Sequence, residues 1–152
     1  MTLNELLNDG KLKPHRTSAR EISDLLKVAE RDLADAGVSG LSTDRRFAIA
    51  YSAILQLATI LLYARGYQTT GTGHHFITFQ AIKEILPKEY AGLIDYFDAC
   101  RSKRNISDYD HPGGVSAKET DEIIAEAKEF KKVVMEWLRD NCPKLVSPDT
   151  AR

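Results

Sequence analysis

The sequence predicts an all-α protein: an antiparallel up-and-down bundle of four main helices with short accessory helices. Three observations carry this. Apolar residues recur at helical spacing along most of the chain. Two capping-box patterns, Ser18 with Glu21 and Ser116 with Glu119, open long amphipathic stretches. Connectors are short, and no segment alternates apolar and polar residues long enough to compete as a strand. A chain of 152 residues is expected to be one domain burying about 68–70% of its unfolded surface. Residues 1–17 read as an N-terminal accessory segment, 18–142 as the helical bundle and 143–152 as a disordered tail.

Each element has its own signal. Leu3, Leu6 and Leu7 make a short amphipathic helix ended by Asp9-Gly10, and residues 11–16 form a basic connector. After the Ser18 cap, Ile22, Leu25, Leu26, Ala29 and Leu33 line one face of a helix that stops at Gly37. Asp24, Lys27, Glu30, Arg31 and Asp35 fall mostly on its solvated side. Ser42 or Thr43 caps the third helix, which carries Asp44 in its first turn and runs through Phe47, Ile54, Leu57, Leu61 and Leu62 to Gly66. Being apolar on most sides, it is expected at the centre, covered by neighbours. Tyr51, Ser52, Gln56 and Thr59 interrupt its apolar run, which favours a buried helix over a membrane span.

Residues 67–73 are rich in threonine and glycine and contain a GTG triplet. They lack the preceding strand, lysine and serine of a phosphate-binding loop, so they read as a flexible turn. The next helix opens with His74 and His75, which as neighbours point about 100° apart and suit joint metal binding poorly. No metal and no cofactor is expected. Phe76, Phe79, Ile82, Ile85 and Leu86 make the buried face of that helix, ended by Pro87. A fifth starts near Lys88 and buries Tyr90, Leu93, Ile94, Phe97 and Cys100. The last follows Ser116 through Ile123, Ile124, Ala127, Phe130, Val133, Val134, Trp137 and Leu138, ending before Pro143.

Composition narrows the function. With 43% hydrophobic and 28% charged residues and a formal net charge of −1, the chain has no global field to attract nucleic acid, so binding to a polyanion must rest on a local patch. An aromatic content of 8% shows no exposed series for stacking bases. Without a signal peptide, Cys100 and Cys142 are expected as free thiols in a cytoplasmic protein that does not enter the membrane.

The chemistry concentrates in residues 98–114, DACRSKRNISDYDHPGG. Arg104 and His111 are seven helical steps apart, which on a continuous helix returns them to one face. A planar guanidinium beside an imidazole that titrates near neutrality suits a phosphodiester. Pro112 disfavours helical geometry at His111, so the helix is expected to end by Asp110. Arg101 and Lys103 steady a helix end as readily as they contact phosphate.

The order of helices, the Arg104-Asn105 pair and the following His111 together resemble the HEPN superfamily of helical domains over residues 18–138. That family's signature is an arginine, a polar residue and a histidine. His111 stands at its widest spacing, and the tighter spacing falls on Tyr109. The resemblance implies an RNA-binding protein acting as a metal-independent endoribonuclease of toxin–antitoxin type, in which a homodimer brings two motifs into one cleft. A nucleotidyltransferase-like antitoxin is the implied partner. In that scheme Arg104 holds the phosphate, His111 serves as base or acid, Asn105 orients the phosphate or the other protomer's motif, and Asp108 and Tyr109 position these groups. The alternative is a catalytically silent helical module that binds a nucleotide or a protein partner.

Overall fold

A computed structural model describes residues 1–71, 73–109 and 114–146, with the backbone alone for 105–109. The fold is mostly helical, with six α-helices and one small sheet among the described residues. The helices are α1 (Leu3–Asn8), α2 (Ala19–Ala36), α3 (Thr43–Ala64), α4 (His74–Ile85), α5 (Ala91–Tyr109) and α6 (Ala117–Asn141). Single 3-10 turns, Lys88–Tyr90 and Pro143–Leu145, precede α5 and follow α6.

Caps set the boundaries as local chemistry requires. Ser18, Ser42 and Ser116 each accept a hydrogen bond from the backbone N–H three residues on, at 3.1, 3.2 and 3.1 Å. Ser42 rather than Thr43 therefore caps α3. Only α6 completes the reciprocal box, with Ser116 N–H donating to Glu119 at 3.0 Å. In α2 the Glu21 carboxylate turns instead to Thr17 Oγ1 and His15 Nε2, both at 2.7 Å. Those bonds, the one from Thr17 foremost, hold its carboxyl below the usual range. Ser116→Ala removes half of the α6 box and is expected to destabilise the fold by about 1 kcal/mol, read as a lower urea midpoint at unchanged slope.

α3 is the hub: α2, α4, α5 and α6 all pack on it. Ala50, Ala53, Ile54, Leu57, Ala58, Ile60 and Leu61 are fully buried there. Among the described residues it alone is long and apolar enough to cross a membrane, but 56% of that stretch is buried inside the fold, as befits a core helix. Polar bonds give the helix directions. Arg46 Nε donates to Ala36 O at 2.7 Å and Ser52 Oγ to Asp32 at 3.0 Å, so α2 and α3 run antiparallel. Thr43 Oγ1 donates to Val115 O at 2.8 Å and buried Thr120 to Thr43 O at 3.1 Å. At the other end Cys142 Sγ meets Ala64 O at 3.8 Å, so α3 and α6 run parallel. Lys83 pairs with Asp95 at 2.7 Å while Arg101 lies over Phe76, so α4 and α5 are antiparallel. Rings from four helices form one chain through the core: Tyr51 to Phe79 (6.2 Å), Phe79 to Phe97 (6.3 Å) and Phe97 to Phe130 (4.9 Å).

The structure departs from the sequence expectation in three places. The connector at 11–16 and the loop at 67–73 contain strands, β1 (Leu12–Pro14) and β2 (Tyr67–Thr69), paired antiparallel with Leu12 opposite Thr69 and Pro14 opposite Tyr67. Three residues are too few to show alternation, and Pro14 is tolerated because it ends its strand. Leu12, with Leu6, Leu62 and Ala81, forms a small second core that seats α1. Phe76, expected inside, is 42% exposed, because in the first turn of α4 it stands outside the packed stretch of Thr78, Phe79, Ala81 and Ile82. Asp32 in α2, for which the sequence reading set no place, is buried, held by Ser52 and by Arg31 at 3.0 Å. Pro143–Leu145, assigned to the tail, is a turn whose Leu145 packs on the core with Val146.

Candidate functional site

The start of α4 and the end of α5 meet beside α3, and the polar residues gathered there are Tyr51, His74, His75, Asp98, Arg101 and Arg104. Gly66 at φ 93° and Gly73 at φ 74° take the left-handed conformations that let the chain leave α3, pair β2 with β1 and enter α4. That path delivers His75 to Tyr51. The phenol Oη and imidazole Nδ1 are 3.2 Å apart, one donating and the other accepting. His74 packs edge-on against His75, with ring centroids 4.4 Å apart. From α5, Arg104 Cζ lies 5.5 Å from the Tyr51 ring centroid and Arg101 Cζ 5.7 Å from that of Phe76. Arg101 Nε donates to Asp98 at 2.9 Å.

Tyr51 is 1% exposed, and burial pushes its phenol well up, against the pull of Arg104 and Arg101. It stays protonated at any physiological pH. His75 is half-buried, and burial first, then the charges of His74, Arg104 and Arg101, hold its imidazole down to about 4. It is therefore neutral at pH 7. Because the unfolded chain takes up a proton near pH 6.5 that the folded ring refuses, this group's contribution to stability is full above about pH 6.5. It is lost as pH falls toward 4. After allowance for partial solvent exposure, the loss is expected to be about 1–2 kcal/mol. Urea unfolding at the two ends of that window should show it, and His75→Gln should lose less than the parent over the same range.

Of the residues singled out from sequence, Arg101 and Arg104 come together here. Asn105, Asp108 and Tyr109 lie in the last turn of α5, where the backbone alone is described, and His111 lies outside the described residues. Lys103 leaves the cluster: its Nζ is 3.2 Å from Glu119, which ties α5 to the cap of α6. Sequence reasoning missed Tyr51, His75 and Phe76. The only signal was the histidine pair at a helix start, and nothing in its spacing says that it meets α5. Among the described residues no three His, Cys, Asp or Glu side chains gather as metal ligands. Cys100 and Cys142 are free, and burial pushes the Cys100 thiol up to about 11, so it is not a thiolate nucleophile at neutral pH.

A concavity of about 790 Å³ lies between α2 and α6, floored by Leu26, Leu33 and Met135. It shares no residue with the α4–α5 cluster, and one of its rim lysines, Lys131, is paired with Glu30 at 3.4 Å. Chemically the cluster is the richer of the two. It combines two guanidinium groups, two imidazoles and an exposed aromatic ring, a set able to take a phosphate with an attached base. Comparison of the chain with protein-family models, curated proteins and solved structures gives no match.

Proposed function

We propose that this chain is a HEPN-type four-helix domain that binds RNA and cuts it without metal, acting as a homodimer in the cytoplasm, with a nucleotidyltransferase-like antitoxin as partner. The observation that carries the reading is the packing of Arg104 and Arg101 at one end of the fold, both half-exposed beside two histidines. A near-neutral chain offers RNA no general attraction, so a cationic cluster is what a polyanion requires. In this reading Arg104 grips the phosphate and steadies the charge that builds on it. His111 transfers the proton of the 2′-hydroxyl or of the leaving oxygen. Asn105 orients the phosphate, with Asp108 and Tyr109 as supports. A second protomer doubles the local positive charge.

A second reading has its own observation. Arg104 lies over a buried tyrosine, a contact that also holds α5 to α3, so the arginine serves the fold as well. The chain is then a catalytically silent module that binds a nucleotide or a protein partner. Cleavage of mixed RNA in EDTA separates the two. The first reading expects cutting by the parent chain and none by Arg104→Ala or His111→Ala, with all three folded and dimeric. Absence of cutting by the parent chain, or equal cutting by the variants, overturns it.

A further inference from the structure

The geometry points to a ribonucleotide subsite where the start of α4 meets the end of α5, in which Phe76 stacks the base and His75, as an imidazolium, holds the phosphate together with Arg101 and Arg104. It deepens the RNA-binding reading above and rests on it. Three features converge. Phe76 is 42% exposed although Phe79, on the same helix, is fully buried. Arg101 Cζ stands 5.7 Å from the Phe76 centroid, so a cation is fixed within reach of anything lying on that ring. His75 is anchored through Nδ1 by Tyr51, leaving Nε2 as its other ring nitrogen.

The groups that face His75 decide how it behaves. Tyr51 comes from α3, His74 from α4, and Arg101 and Arg104 from α5, with Asp98 bonded to Arg101 and acting on Tyr51. Among the described residues, one carboxylate, already bonded to Arg101, stands near two permanent cations and a second imidazole. With no anion present, burial first and then the repulsion of these cations keep His75 unprotonated. A phosphate arriving between them offsets that positive charge, so phosphate and proton bind together, each raising the affinity for the other. The Tyr51 bond survives the change, because the phenol oxygen accepts from Nδ1–H as well as it donates to Nδ1. The exposed Phe76 ring then offers the base a face, and stacking tolerates any base.

The test is fluorescence anisotropy with a short fluorescein-labelled RNA oligonucleotide carrying 2′-O-methyl riboses, which is bound but not cut, in EDTA. Binding by the parent chain is expected to tighten about tenfold between about pH 8 and about pH 5. His75→Gln should abolish most of that tightening. Phe76→Ala should weaken binding about tenfold at every pH, and Phe76→Trp should restore it. Competition by AMP supports a free nucleotide as the ligand, and competition by unlabelled strand alone supports an RNA chain; either is consistent with the subsite. If Phe76→Ala and His75→Gln bind as the parent does while Arg104→Ala does not bind, the subsite is wrong and the RNA-binding reading stands. If the parent binds no RNA at any pH, both fall. Unchanged pH dependence in His75→Gln, with Phe76→Ala weakened, removes His75 from the proposal.

Discussion

Phe97→Ala is expected to destabilise the protein by about 3–5 kcal/mol, a large part of the margin of a domain this size. Phe97 is fully buried and is the ring at which α4, α5 and α6 meet, between Phe79 at 6.3 Å and Phe130 at 4.9 Å, with Tyr96 at 5.8 Å. Truncation removes the transfer free energy of a benzyl group. It also leaves a cavity whose walls belong to three helices and so cannot close without moving one of them. The tilted ring contacts with Phe79, Tyr96 and Phe130 are part of that loss, at about 0.5–1.5 kcal/mol each. Urea denaturation should show a lower midpoint at an unchanged slope. Phe97→Leu, which keeps most of the volume, should fall clearly short of that loss. An alanine variant as stable as the parent would mean that the ring chain does not hold α5 in place.

On the proposed ribonuclease reading, Arg104→Ala is expected to lower metal-free RNA cleavage about 100- to 1000-fold, the usual consequence of removing a group that stabilises charge at a reacting phosphate. Its effect on stability should be far smaller, about 0.5–2 kcal/mol, from the contact with Tyr51. The two effects are separable by comparing initial rates in EDTA with unfolding curves on the same preparations. Arg104→Lys discriminates further. It keeps the charge but loses the planar fork, so it should recover little of the rate if the phosphate is gripped at two oxygens. Full activity in the lysine variant would reduce the role of Arg104 to simple attraction.

Much of the helical framework was readable from local chemistry. Ser18, Ser42 and Ser116 act one at a time on the nearest turn, and a cap of that kind leaves its mark within a few residues. The apolarity of α3 on most of its sides announced a helix covered by neighbours nearly all round. What escaped depends on partners far away in the chain. Leu12 and Thr69 pair through strands too short to have a pattern, and Ser52 reaches Asp32 only because α2 and α3 pack together. The arginines of the candidate site were visible as a cluster along α5. Tyr51 was read as a polar interruption of a buried helix and His75 as half of a mismatched pair. Only the fold makes them neighbours.

The pairing of β1 with β2 sets an order of events. A ribosome delivers residues 12–14 early, but their partner emerges only after all of α2 and α3 has been made. Leu6 and Leu12 rest on Leu62 of α3 and Ala81 of α4, so this small core is complete only once α4 has been made. The leading segment must wait, and when it docks it fastens the turn from which α4 departs. This strap thus fixes, with that turn, the direction in which the histidines approach their tyrosine.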